Sequence, residues 1–594
     1  MSYRRKKLLA LFCATALSMT AVAGCTGTKS STGNVVSSET ETNAEETSAQ
    51  SEAGSFSSAD MFTERDLART YEESGAVYVT LSGDGITGEM DGVAINGQTV
   101  TITAEGTYIF SGTLSEGQIV VDADNAKVQI VFDNVDITCA SSVAVYVKSA
   151  EKVFVTLAEG SQNTLRNTDE YVAIDDNNID AVIFAKSDLT LNGTGSLTII
   201  SAEGHGIVSK DDLKIIGGTY DITAAGHALS GKDSVRIADG TFILTAEKDG
   251  IHAENADDEE KGYIYIADGD FTITSDGDGM DASNIVQIED GTLDITAGGG
   301  AANSLKTHES DMPGGPGGGM PQNGEKLDGE SMPQMGEKPD GENMPQDTTT
   351  DESGTSTKGI KAGGGMYLNG GTYQIDSADD SIHSNANITI ADGTYTLATG
   401  DDGVHADDAL IVNGGTITVT ESYEGLEGLA VTINDGTIDI TASDDGINTA
   451  GEKMELNGGY IHILAGGDGV DSNGDLTING GEIYIDGPSD NGNSAIDYGD
   501  RSSAYVNGGM LVAIGSSGMA EGMSDSSKQK VLMVKLGEQM EAGNVVLTDS
   551  EGNVIVSYTA LKTYDCVIIS TAEVESGATY TLTTSGTTTE VTAE

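Results

Sequence analysis

From about residue 180 onward, apolar residues alternate with polar ones in short runs of three to five, and each run ends at Gly, Asn or Asp. Alternation with a period of two over so few residues predicts β-strands, and the punctuating residues predict tight turns. No stretch keeps a 3.6-residue period, so helix should be nearly absent. The pattern repeats. Residues 227–248 read HALSGKDSVRIADGTFILTAEK, 402–423 DGVHADDALIVNGGTITVTESY, 445–467 DGINTAGEKMELNGGYIHILAGG and 468–490 DGVDSNGDLTINGGEIYIDGPSD. Each unit opens on Asp-Gly or its equivalent, carries a short apolar strand, then Gly-Gly or Asp-Gly, then a longer alternating strand. Three strands and three turns in about 22 residues form one coil of a parallel β-helix, with coils stacking about 4.8 Å apart.

Two columns follow from that alignment. The residue after each Gly-Thr or equivalent pair is Tyr220, Phe242, Phe271, Leu293, Tyr373, Tyr395, Ile417, Ile438, Ile461, Ile483 and Leu511. This apolar column should stack inside. A polar column (His252, Asp281, Lys361, His383, His405, Glu427, Asn448, Asp471, Asp497) lies between apolar neighbours and should face outward on one sheet. Residues 75–180 have the same strand density with less regular turns and should form the first coils and a cap over the open edge. After about Ser524 the Gly-Gly turns stop. Five alternating runs then predict a small antiparallel β-module over 524–594. The body is therefore 75–523, interrupted at 308–357 by a Met/Pro/Gly-rich, low-complexity insertion that holds all but one of the prolines.

The amino terminus has a different character. Arg4, Arg5, Lys6 and Lys7 precede an uncharged, mostly apolar run from Leu8 to Val22, which ends at Val22-Ala23-Gly24-Cys25. This is the layout of a signal peptide over 1–24 with a lipobox, and it predicts lipid on Cys25. Residues 25–58 are rich in Ser, Thr and Glu and too polar to bury a core, so they should be a disordered tether. The expected place is the outer face of a bacterial membrane. Cys139 and Cys566, 427 residues apart, should be apolar fillers and not a disulfide.

Charge narrows the chemistry. The 594 residues carry 95 Asp and Glu against 29 Lys and Arg, a formal charge of −66, with 79 Gly and no Trp. Such a chain repels a phosphate backbone, so nucleic acid is not a partner. Carboxylates recur at one corner of the coil: Asp249, Asp276, Asp278, Asp379, Asp380, Asp401, Asp402, Asp444, Asp445 and Asp468. Stacked at coil spacing they would repel one another unless cations sit between them. Ca²⁺, which takes six to eight oxygens, suits such corners. The alternative is that Asp merely caps turns beside Gly. The outward column, taken with Tyr484, offers His252, Asp281, His383, His405 and Asp471 as hydrogen-bonding partners for sugar hydroxyls along a polymer.

The run DAVIFAKSDLTLNGTGSLTI at 180–199, then GIVSKDDL at 206–213, the Asp-Gly-Ile/Val-His units and the Met-Pro-Gly insertion resemble the clostridial carbohydrate-binding β-helix family. The resemblance spans about 75–594. It implies a right-handed parallel β-helix related in fold to pectate lyases, with bound Ca²⁺ and affinity for cellulose-like or acidic plant polysaccharides. A lyase would need Ca²⁺ and a base such as Arg or Lys at the sugar C5 proton, and a hydrolase two or three convergent Asp. Arg236, Lys210, Lys232 and Lys361 form no evident cluster in the sequence, and the acidic turns are too uniform to mark one site. The expectation is a monomeric, non-catalytic polysaccharide-binding protein. A lyase or hydrolase, and a wall stalk without glycan specificity, are the alternatives.

Overall fold

The computed structural model describes residues 55–306 and 356–593, apart from 84, 88–90, 173, 176, 452 and 500. The signal sequence, Cys25, the tether up to residue 54 and nearly all of the insertion lie outside the described residues. The rest is a parallel β-helix with three strands per coil. One coil shows the rule: Thr219–Ala224, Leu229–Gly231 and Ser234–Ile237 each pair in parallel with the matching strand of the next coil. Three parallel sheets result. The first is built of six-residue strands, the second of three-residue strands, and the third closes the triangle. Among the described residues the only helical pieces are two three-residue 3₁₀ turns.

The apolar column is an interior stack. Tyr220 pairs with Phe242, Phe242 with Phe271, and so on in unbroken register to Ile483 and Leu511, all buried. Aromatic members stack face to face at 5.3 Å (Tyr220–Phe242), 4.7 Å (Phe242–Phe271) and 4.5 Å (Tyr373–Tyr395). Burying each such side chain is worth about 1.5–3 kcal/mol, so the column stabilises every coil it crosses. Cys139 and Cys566 are buried free thiols. Burial pushes them up to about 12 and about 11, which keeps them protonated and inert.

Both ends of the stack are covered. Near the start, Val77–Gly83 pairs with Gly106–Leu114 and a hairpin joins Val93–Asn96 to Thr99–Ile102. At the far end, Tyr564–Ser570 runs antiparallel both to Met510–Gly515, the last long strand, and to Val531–Met540. A separate four-stranded antiparallel sheet follows, built from Gly543–Thr548, Val554–Ala560, Thr579–Thr584 and Thr587–Thr592. The region after 524 thus has six strands, one more than its alternation suggests. Thr587–Thr592 reads TTTEVT, too polar to register as an apolar run.

Residues 55–58 fall in the expected tether, and 59–74 lie between it and the expected cap with no element assigned to them. Instead they form a strap along the third sheet. Phe56 meets Tyr263, Arg236 reaches the Met61 carbonyl, and Arg65 reaches Gln129. Asp66 is fully buried and pairs with Lys152 at 2.6 Å. Burial would raise its pKa, but the Lys152 ammonium and the Thr63 hydroxyl and amide outweigh that and hold it at about 2. The third sheet is thereby partly covered by the chain's own backbone.

Candidate functional site

The Asp-Gly corner has a structural job that the sequence does not display. A corner acceptor receives the backbone N–H of the equivalent residue one coil on. Asp249 accepts from Asp278 (2.9 Å), Asp278 from Lys358 (2.7 Å), Asp380 from Asp402 (3.2 Å), Asp402 from Glu424 (3.2 Å) and Asp445 from Asp468 (2.6 Å). These amides turn into the corner, where an unpaired N–H would cost about 1–3 kcal/mol. The following Gly is dictated by space. A Cβ on Gly425 would lie 2.3 Å from the Gly446 carbonyl oxygen, and one on Gly446 2.5 Å from that of Gly469. Asp-Gly therefore recurs because one residue staples successive coils and the next lets them approach.

The second sheet then places one polar side chain per coil beside this corner. His252 pairs with Asp281, Asp281 with Lys361, Lys361 with His383, His383 with His405, His405 with Glu427, Glu427 with Asn448, Asn448 with Asp471 and Asp471 with Asp497. The predicted column is continuous, but it is not a freely solvated surface. His252 and His383 keep only 14% and 12% of their side-chain surface exposed, because the corner carboxylates three residues earlier fold against them.

The two ladders lock into ion pairs. His252 Nδ1 lies 3.0 Å from Asp249 and 3.4 Å from Asp281, and His383 Nδ1 lies 2.8 Å from Asp380. His405 Nδ1 lies 3.1 Å from both Asp402 and Glu427. Burial disfavours charge on His252 and His405, yet the carboxylates outweigh it and push His252 up to about 10 and His405 up to about 12. Both are imidazolium at neutral pH. Burial and the neighbouring Asp402 carboxylate raise Glu427 to about 8.

Charge compensation differs along the face. In the middle, Lys306 bridges Asp379 (2.7 Å) and Asp401, and Lys358 bridges Asp379 and Asp380 at 2.8 Å each. Lys361 reaches Asp278 at 3.5 Å and Asp281 at 3.3 Å. Toward the carboxyl-terminal end, Asp445, Asp468 and Asp471 bring oxygens within 4.8 Å of one another. Asp444 lies close by, since both Asp444 and Asp445 oxygens approach Gly467. Among the described residues, none of Asp444, Asp445, Asp468 and Asp471 has a Lys, Arg or His ion-pair partner. Burial and the neighbouring carboxylates push Asp445 up to about 8, Asp468 to about 7 and Asp471 to about 6.

Two predicted residues stand apart. Asp276 is exposed and, outside the amide-accepting corner ladder, lines a depression with Lys306 and Asp379. Tyr484 is on the first sheet, opposite His462 in the register and stacked on Tyr558 at 5.1 Å, so it shares no face with the His column. Reading the sequence missed Lys306, Lys358, Glu424, His205 and His227. Lys358 and Glu424 precede the Gly of their units, so the alignment itself carried that signal. Lys306 sits where the insertion leaves the coil, and nothing in its local pattern marks it.

A model of the carbohydrate-binding domain-containing protein family matches residues 96–403 and 400–574. A carbohydrate-binding domain-containing protein of Acetivibrio thermocellus is 40% identical over 136 residues, 22% of this chain and 48% of the relative. The chain thus spans about half the length of that curated relative. A solved structure, the gadolinium derivative of a polysaccharide lyase-like protein from C. thermocellum, is 36% identical. It covers 37% of this chain and 91% of its own, with a TM-score of 0.37. Since the family model extends over most of the β-helix and into the carboxyl-terminal strands, this chain belongs to the carbohydrate-binding domain-containing protein family.

Proposed function

We propose that the chain binds extended polysaccharide along the second sheet, with Ca²⁺ at its acidic end, as a binding protein and not a lyase or hydrolase. The observation that carries this reading is the unbroken polar ladder from His252 to Asp497, one side chain per coil. The coil spacing of about 4.8 Å is comparable with the length of one sugar unit, so a chain laid along the axis meets a fresh donor or acceptor at each step. Half-buried groups held by the corner ladder are preorganised, which lowers the entropy cost of binding.

Ca²⁺ fits some of the predicted acidic corners better than others. Asp445, Asp468 and Asp471, with Asp444 beside them, offer clustered oxygens and no competing ammonium, and would hold the ion. Bound there, it would neutralise the cluster and leave coordination positions for sugar oxygens. Asp379, Asp380 and Asp401 already have Lys306 and Lys358 in that role, and Asp249 and Asp402 have imidazolium partners. The lipobox at Cys25 supports tethering to the outer face of a bacterial membrane, where such a face would meet extracellular glycans.

A pull-down of residues 55–594 on insoluble cellulose and on polygalacturonate beads, with calcium and with EDTA, tests the reading while reducing ends are assayed in the supernatant. Retention strengthened by calcium, without new reducing ends, is the expected result. Release of sugar would replace binding with catalysis. No retention on either polymer would leave a structural stalk.

A further inference from the structure

Asp249 stands between two imidazoles. Its Oδ1 accepts the Asp278 N–H at 2.9 Å as a coil staple, which leaves Oδ2 for the rings. His227 Nδ1, one coil earlier, and His252 Nδ1, on the same coil, each lie 3.0 Å from that oxygen. Asp281, one coil later, turns Oδ1 to Lys361 at 3.3 Å and Oδ2 to His252 Nδ1 at 3.4 Å. Two nitrogens and a carboxylate oxygen thus converge within 4.8 Å, with a second carboxylate oxygen beside them.

Hydrogen bonding does not account for this convergence. His227 Nδ1 accepts the Asp249 N–H at 3.2 Å, so it carries a lone pair and meets the Asp249 carboxylate acceptor to acceptor. His252 Nδ1 is buried and makes no hydrogen bond despite its close approach to Asp249. Two donors that bind one ion at about 2.0–2.2 Å stand about 2.9–3.4 Å apart, with their lone pairs aimed at the ion and not at each other. The separations of 3.0, 3.0 and 3.4 Å fall in that interval.

The surroundings fit an ion as well. Glu254 lies 3.4 Å from His252 Nε2, the far nitrogen of the ring, where a carboxylate orients a metal-ligating imidazole. His205 Nδ1 accepts the His227 N–H at 2.8 Å and its ring stacks on His227 at 4.8 Å, which fixes that ligand in turn. The nearby lysines are engaged elsewhere: Lys210 and Lys248 face Asp180, and Lys232 pairs with Asp257 at 2.7 Å. Among the described residues Asp249 has no Lys or Arg ion pair, whereas ammonium groups fill that place at Asp379 and Asp380. A depression of about 390 Å³ borders His227 and His252 and gives an ion a way in and room for water ligands.

We propose that His227 Nδ1, His252 Nδ1 and Asp249 Oδ2, with Asp281 Oδ2, form a site for a first-row transition-metal dication such as Zn²⁺, which staples three successive coils. Two imidazole nitrogens suit such an ion and not Ca²⁺, which takes oxygens. On binding, His252 gives its proton to solvent and His227 exchanges the Asp249 amide for the metal. The site is distinct from the acidic cluster around Asp445 and stands whether or not the second sheet binds glycan.

The test titrates the folded chain, saturated with Ca²⁺ so that oxygen-only corners are filled, with Zn²⁺ by calorimetry. Imidazole ¹⁵N shifts are followed in parallel. Expected are a first equivalent of Zn²⁺ that shifts Nδ1 of His227 and His252, and a melting temperature raised beyond its value in Ca²⁺ alone. His227→Gln/His252→Gln should weaken that binding about a hundredfold or more, and Glu254→Gln about tenfold. His462→Gln, on the first sheet, should change nothing. Equally tight Zn²⁺ binding in the double variant, first-equivalent shifts confined to His383 and His405, or no Zn²⁺ binding by the unaltered chain overturns the site. The ¹⁵N shifts decide the matter on the unaltered chain even if the double variant fails to fold.

Discussion

The amide of Asp468 donates to the Asp445 carboxylate at 2.6 Å, one coil back, and this contact gives the acidic corner its two characters. It is a staple between coils. It also holds a carboxylate among other carboxylates, where a cation would relieve the repulsion. Replacement separates the two roles. Asp445→Ala leaves the Asp468 N–H unpaired and should cost about 1–3 kcal/mol of stability. Asp445→Asn keeps an acceptor and, above about pH 8 where Asp445 is ionised, removes a charge, so in EDTA at that pH it should be at least as stable as the unaltered chain. Chemical denaturation of both variants, with and without calcium, checks this, and equal losses would remove the repulsion argument.

The pH dependence follows from the same cluster. Asp445, Asp468 and Asp471 have folded-state values of about 8, 7 and 6, above the ordinary aspartate value. The folded chain therefore holds protons that the unfolded chain releases, and stability contributed by these groups is lost as pH rises from about 4 to about 8. Melting temperature measured in EDTA should fall over that range, and calcium should flatten the fall. A flat profile in EDTA would contradict the burial of these charges.

Asp66 behaves in the opposite sense. Its folded-state value of about 2 lies below the unfolded one, so its contribution is present above about pH 4 and disappears toward pH 2. Lys152→Met leaves a buried carboxylate without its partner and should cost about 3–5 kcal/mol. The strap should then become cleavable at Arg65 and Arg69 in limited trypsin digestion. Resistance equal to that of the unaltered chain would show that the strap is held elsewhere.

Steric demand, not backbone freedom, sets the Gly of the corner. Gly425→Ala places a methyl 2.3 Å from the Gly446 carbonyl oxygen, whereas Gly552→Ala meets nothing within 4 Å and bears only the strain of a φ of +86°. The first should destabilise by more than about 3 kcal/mol and the second by about 1–2 kcal/mol. Equal melting temperatures for the two variants would refute the close approach.

His405 and His205 should titrate at opposite extremes. The carboxylates around His405 push it up to about 12, and burial brings His205 down to about 3. Imidazole ¹⁵N shifts between pH 5 and 9 should show the first charged and the second neutral throughout. A midpoint near 6.5 for either ring would mean that it is solvated and outside these networks.

The repeat alone determined much of this protein. Tyr220 to Leu511 had to stack inward, and His252 to Asp497 had to share one sheet, because a strand alternates its faces and a coil of fixed length brings like positions into register. Which carboxylates are compensated was decided only by the tertiary structure. Lys306 reaches Asp401, 95 residues later, across the insertion point, and no local pattern encodes that distance. His205 and His227 looked like single polar substitutions until the coils stacked their rings, with His252 as the third. The strap was hidden for a related reason. Its polar sequence carries no strand period, and only the third sheet supplies the partners for Asp66, Arg65 and Phe56. Periodicity fixes which residues share a face, whereas ion pairing depends on distances that exist only once the coils are stacked.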